Sequence, residues 1–311
     1  MRVNSSDRIN KNVTQFECLY VPQLSENRSN YPMISFQVIT MLIAITGNLI
    51  TILTILRRPK LRKNVTYIFI LSVSIADFLI GLVAQPLFIA NIITLASNVY
   101  ICRAGVLTGL MFGCASITGI IGITLERFVY IMHPLKCKRI LTRKRATVLI
   151  AIFWCVGIML CVLHLFWYDV MAVQVSNFLL IAITTLVTLV ANINFLSLSR
   201  KTHQTLCSSS STSTNITIKQ TQMTCLILKI CLAFGVCWIP YGIIGLKYAT
   251  VSADAGKDIV IAYYWGIAIG FSNSALNVLI YAKGNTVLKY EIKRFLSLQT
   301  NDMTLVREAL L

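Results

Sequence analysis

This chain has little acid, histidine or proline. Of 311 residues, 11 are Asp or Glu, 3 are His and 6 are Pro, and charged residues of both signs make up 13%. Soluble domains typically carry about a quarter of charged residues, so this composition does not supply an ordinary water-facing surface. Acids and histidines form no cluster with metal-ligand spacing, and no nucleophile and base pair or glycine-rich phosphate loop stands out. The sequence therefore reads as a non-enzyme. No polar segment is long enough to bury a soluble core of its own.

In excess are apolar residues, at 56%. A hydrocarbon layer about 30 Å thick asks for roughly 20 mostly apolar residues per helix. Seven stretches meet that length, near Met33 to Leu56, Val65 to Thr94, Cys102 to Ile131, Ala146 to Phe166, Asn177 to Leu198, Thr221 to Leu246 and Ile259 to Tyr281. They are continuous and do not alternate, so they predict an all-α membrane protein, a seven-helix bundle, and not a barrel. The net charge of +17 would suit a nucleic-acid binder, but its position argues for a membrane. Arg57, Arg58, Lys60, Arg62 and Lys63 fill the first loop, and Lys136, Lys138, Arg139, Arg143, Lys144 and Arg145 the third, while the alternate loops hold few basic residues. Basic loops face the cytosol, which predicts an extracellular N-terminus and a multi-pass plasma-membrane protein that gains from anionic inner-leaflet lipid.

Residues 1–32 read as an extracellular segment carrying glycosylation triplets at Asn4, Asn12 and Asn27. That segment lacks an apolar signal-peptide region, so the first helix is expected to be its own insertion signal. Residues 33–281 form the membrane domain. The Ser and Thr run from Cys207 to Thr217 reads as a linker. In residues 282–298, Val287, Leu288, Ile292, Phe295 and Leu296 alternate with Lys289, Lys293 and Arg294, the pattern of an amphipathic eighth helix on the inner membrane face. Residues 299–311 read as a short cytoplasmic tail.

Ionisable residues inside a span are costly and mark function. Asp77 is the acid in the middle of a span, and Asn48, Ser116, Asn273, Ser274 and Asn277 are small polar residues in other spans. Taken singly each is helix glue by hydrogen bonding; taken together they read as a hydrated cation site. Gly47-Asn48, the run Leu71 to Asp77 ending in Ala76-Asp77, Cys102, Glu126-Arg127-Phe128, Trp154, Cys237-Trp238-Ile239-Pro240 and Asn277 to Tyr281 follow in order along the spans. This ordered set resembles the helix signatures of rhodopsin-like (class A) G-protein-coupled receptors, over about residues 33 to 298.

The resemblance implies a receptor that binds an extracellular ligand and activates heterotrimeric G proteins. It implies no cofactor beyond an allosteric sodium ion held by Asp77 with Ser116, Asn273 and Asn277, beside Asn48, Ser274 and Trp238. Arg127 would pair with Glu126 at rest and meet the G protein when active, with Phe128, Pro134, Leu135, Asn192, Gln220 and Tyr281 completing the switch. Trp238 and Phe234 lie four apart beneath Pro240, which lacks an amide hydrogen and so makes a hinge. Val278 stands where the family has Pro, Asn192 where it has Tyr, and Gln220 where a Glu often holds Arg127. Two other readings stay open: a receptor-like protein that does not couple, and a seven-helix transporter or channel with Asp77 on an ion path.

For the ligand, the resemblance mostly excludes. Gly109 occupies the place of the aminergic Asp and Phe271 that of the retinal Lys, so neither a monoamine ion pair nor retinal is expected. The short loop from Trp167 to Ser176 without Cys, and a fifth span without Pro, resemble the branch containing melanocortin, adenosine, cannabinoid and lysophospholipid receptors. Gly245 replaces the adenosine-receptor Asn, and Leu87, Cys102 and Val106 replace the melanocortin acids. Candidate pocket residues are Gln85, Asn91, Val106, Gly109, His164, Trp238, Tyr241, Tyr264 and Phe271, with Asp169 nearby. The usual loop Cys being absent, Cys102 has Cys18 as its one extracellular partner within the chain. The intervening segment to Met33 reaches about 45 Å when extended. A Cys18–Cys102 bridge and two free thiols are the alternatives.

Overall fold

The computed structural model describes residues 30–94, 98–133, 136–166, 170–206, 211–251 and 256–309. Its helices are α1 (Asn30–Arg57), α2 (Val65–Ile93), α3 (Val99–Met132), α4 (Arg143–Phe166), α5 (Val170–Leu206), α6 (Ser211–Val251), α7 (Lys257–Gly284) and α8 (Thr286–Ala309). Among the described residues seven are long and apolar enough to cross a membrane.

Local chemistry sets the starts. Asn64 caps α2 by accepting from the Thr66 amide at 3.1 Å, and Asn98 caps α3 by accepting from the Tyr100 and Ile101 amides. Asn285 caps α8 through the Leu288 amide at 3.0 Å and also accepts from the Tyr67 hydroxyl at 3.2 Å, so one side chain starts α8 and ties it to α2. Within α2, a wide π turn at Ile80–Ala84 immediately precedes the helical segment containing Pro86. A proline ring crowds the carbonyl four residues back, and the wide turn relieves that crowding.

The bundle closes as a ring. α1 packs on α2 and α7, α7 on α6, α6 on α5, and α3 contacts α2, α4, α5 and α6. Large apolar side chains on the outside, such as Leu42 on α1, Ile152 and Met159 on α4, and Leu186 and Val187 on α5, are exposed for lipid to cover. Inside, Phe69, Val73, Ile123, Ile227, Ile230 and Tyr281 are buried in one cluster toward the Arg127 end; Phe88, Tyr264 and Phe271 belong to a second cluster toward the Cys102 end. Gly119 and Gly122 let α3 approach α2, since a Cβ there would meet Val73 and Phe69.

Two segments differ from sequence expectation. Ser211 to Thr217 are helical and belong to α6, not to a linker. Ser and Thr are weak helix formers but not breakers, and with neither Gly nor Pro among them the neighbouring helix runs on. Likewise α8 continues to Ala309 through the segment read as a tail. Its start is anchored to α1 by an Arg58–Glu291 ion pair at 2.9 Å and by Arg57 lying 4.9 Å over the Phe295 ring.

Candidate functional site

Three groups of residues line up along the bundle. The middle group surrounds Asp77, which is fully buried. Its Oδ1 accepts from the Ser116 hydroxyl at 3.2 Å and the Ser274 hydroxyl at 2.9 Å, and its Oδ2 accepts from Asn277 Nδ2 at 2.9 Å. Asn48 donates to the Ser274 carbonyl at 3.3 Å and to Ala44 within its own helix. The structure thus brings Asp77, Ser116, Ser274, Asn277 and Asn48 together from α1, α2, α3 and α7. Asn273 is buried one turn before Asn277, and the amide oxygens of Asn48, Asn273 and Asn277 have no hydrogen-bond partner. Oxygen donors beside a buried carboxylate fit a hard cation such as sodium.

At the Arg127 end a closed network holds α3. Arg127 Nε donates to Glu126 Oε2 at 2.7 Å, and its Nη2 donates to Glu126 Oε1 at 3.0 Å and to the Thr66 hydroxyl at 2.8 Å. Thr66 in turn donates to Glu126 Oε1 at 3.0 Å. Neither charge is solvated: Glu126 and Arg127 are 5% and 7% exposed. A buried pair of this kind persists only with its hydrogen bonds satisfied, and Thr66 supplies two. Sequence reasoning missed Thr66, because a hydroxyl at the start of a helix reads as local capping.

Other expected switch residues are arranged differently. Of the residues expected to line a cleft there, Arg127, Asn192 and Tyr281 are buried. Asn192 is buried and donates to Thr124 on α3, to the Thr188 carbonyl and to the Cys231 sulfur on α6, so it ties three helices together. Tyr281 is 1% exposed and its hydroxyl has no partner. Phe128 faces outward against Phe195, with ring centroids 5.8 Å apart, away from the Glu126–Arg127 pair. Pro134 and Leu135 lie outside the described residues, as does the Gln220 side chain.

Toward the Cys102 end lies a cavity of about 190 Å³. Asn91, Val106, Gly109, His164, Trp238, Tyr241, Tyr264 and Phe271 line it, as the sequence led us to expect. Gln85 does not. It is fully buried between helices, donating to Gln37 Oε1 at 3.0 Å and Thr40 Oγ1 at 3.1 Å, while Gln37 donates to the Ala268 carbonyl. The lining that sequence reasoning missed includes Gly105, Gly113, Gln174, Asn177, Tyr248 and Tyr263. Trp238 forms the floor, edge-on to Phe271 at 6.2 Å and to Tyr241 at 5.7 Å, with Phe234 beneath it at 6.2 Å. Cys102 lines the same cavity and is disulfide-bonded. Cys18, Asn4, Asn12, Asn27 and Asp169 lie outside the described residues.

Comparison with known proteins gives this arrangement a context. Residues 47–281 match the family described as 7 transmembrane receptor (rhodopsin family). The chain is 32% identical over 139 residues to 5-hydroxytryptamine receptor 2C of Mus musculus, a match covering 44% of this chain and 30% of that receptor. It is 26% identical over 324 residues to a QRFP-like peptide receptor of Branchiostoma floridae, covering 91% and 82% respectively. It is 27% identical over 287 residues to melatonin receptor type 1A of Gallus gallus, covering 83% and 78%.

Proposed function

The chain belongs to the rhodopsin family of seven-transmembrane receptors, and from that premise we propose that it answers an extracellular ligand by opening its Arg127 end to a heterotrimeric G protein. The resting state is the one described above, with Arg127 held by Glu126 and Thr66. A ligand that binds the open form better shifts the population toward it, freeing Arg127 as α6 swings about Pro240. The basic loops favour a cytosolic Arg127 end and an extracellular N-terminus, as a plasma-membrane receptor requires.

The single observation that carries this reading is the Glu126–Arg127–Thr66 network: a buried ion pair at a helix end, poised to break. The test is G-protein activation in cells across the Gα classes, comparing wild type with Arg127→Ala at matched surface density. A signal with at least one class, lost in Arg127→Ala, is expected. Equal signals in both proteins, or no signal above mock with any class, would contradict it.

A sodium ion in the Asp77 group would favour the resting state, held by Asp77 with Ser116, Asn273 and Asn277. The ion would supply a fixed positive charge between α2, α3 and α7, and these residues would position it. The loop pattern resembles that of the melanocortin, adenosine, cannabinoid and lysophospholipid branch, whereas the relatives found belong to no single branch. The relatives named above include amine, indole-hormone and peptide receptors by their names, so similarity alone selects no ligand.

A second reading has an observation of its own. Val278 replaces a proline and packs where a Cβ on Gly47 would overlap it, and α7 runs unbroken from Lys257 to Gly284. Asn192 binds α5 to α3 and α6. Both features resist opening and favour a receptor-like protein that does not couple, for which silence in the G-protein assay is the expected result.

A further inference from the structure

We infer that the cavity takes an uncharged aromatic ligand that reaches the open space before Gly113 of α3. This rests on the receptor reading and names the ligand class of that same site. Gly105, Gly109 and Gly113 are spaced four residues apart, so they share one face of α3, and all three line the cavity. Val106, Leu110 and Cys114 of the same helix flank them in the lining. A Cβ at Gly113 would meet nothing within 4 Å, so the space before it is open, whereas at Gly109 and Gly105 such an atom would already meet Phe271 at 3.3 Å and Leu87 at 3.7 Å. The opposite wall is aromatic, with Trp238, Tyr241 and Tyr264. Aromatic faces favour a flat molecule that can stack on them.

The polar groups say what such a molecule carries. Asn91 is 8% exposed; its Nδ2 donates to the Tyr264 hydroxyl at 3.3 Å, and its Oδ1 is buried with no partner. Turned toward the cavity, that acceptor would take a donor from a ligand N–H or O–H. Among the described lining residues there is neither Asp, Glu, Lys nor Arg. An ammonium group entering here would leave water without a counter-charge, which is far costlier than moving a neutral amide.

The test uses purified full-length receptor and matched pairs of flat bicyclic compounds, each a primary amine and its N-acetyl derivative, tryptamine with N-acetyltryptamine among them. Retained compounds are identified by mass spectrometry after washing. Wild type should retain acetylated members at least about tenfold over their amine partners, given the cost of an unpaired buried cation. Gly113→Leu fills the open space and should lose that retention, with Gly113→Ala as a milder version should Leu disturb folding. Asn91→Asp places a carboxylate in the wall and should move preference toward the amines. Preference of wild type for amines, no member retained, undiminished retention by the Gly113 variants, or an unshifted preference in Asn91→Asp would each overturn the inference. The G-protein assay is read separately, so failure here leaves the receptor reading intact, and failure there leaves the ligand class intact.

Discussion

The hydroxyl of Thr66 accepts from Arg127 and donates to Glu126 at once. Thr66→Val keeps the shape and removes both bonds. Hydrogen bonds to charged groups are worth about 1.5 to 3 kcal/mol, so the resting state should weaken and ligand-free signalling should rise severalfold or more. The carboxylate of Asp77 makes a different prediction. If it holds sodium, replacing choline chloride by sodium chloride at equal ionic strength should raise the thermal stability of the detergent-solubilised wild type. Binding at ten times the dissociation constant adds about 1.4 kcal/mol. Asp77→Asn should show no difference between the two salts; an equal sodium effect in the variant would remove Asp77 from the site. Asp77 was legible in the sequence because an acid in an apolar span has few bland explanations. Thr66 was not, since it meets Arg127 from 61 positions away. Gln85 misled for a related reason: a span amide resembles a ligand contact until its partner Gln37, across the helix interface, is seen.

Helices α1 and α7 meet at Gly47 and Val278, where backbone approaches side chain too closely for any Cβ. Gly47→Ala should therefore lower thermal stability by about 1 to 3 kcal/mol, the usual cost of overpacking. Val278→Ala in the same chain should restore most of it, because contacting residues couple. Additive losses in the double variant would mean that the two residues do not press on each other. The helical elements could be read from hydropathy, because twenty apolar residues in lipid have few alternatives to a helix. Their ends could not. Ser211 to Thr217 looked like a linker by composition, yet a helix already under way propagates through weak formers. At the Arg127 end, sequence names residues such as Asn192 and Tyr281 but not how deeply they are buried.

At the scale of the whole molecule, charge and cysteines bear on how the bundle sits and how its mouth is covered. Cys102 is disulfide-bonded, whereas Cys114, Cys155, Cys161, Cys225, Cys231 and Cys237 are free thiols. With Cys18 as partner, the N-terminal segment would be pinned over the cavity, a closure worth about 2 to 4 kcal/mol. Cys18→Ser should then depress surface expression as much as Cys102→Ser, and non-reduced peptide mapping should recover the joined peptides; a harmless Cys18→Ser would end that assignment. Cavity, Asp77 group and Arg127 network follow one another along the bundle, and in the proposed function that series ends in a G protein. The most direct test of that function needs no ligand: nucleotide exchange on G proteins by membranes bearing wild type, Thr66→Val, or Thr66→Val with Arg127→Ala, at equal receptor density. The account predicts that Thr66→Val exceeds wild type and that the added Arg127→Ala returns exchange to the mock level. Exchange by the double variant equal to that of Thr66→Val, or no exchange above mock by any of the three, would contradict it.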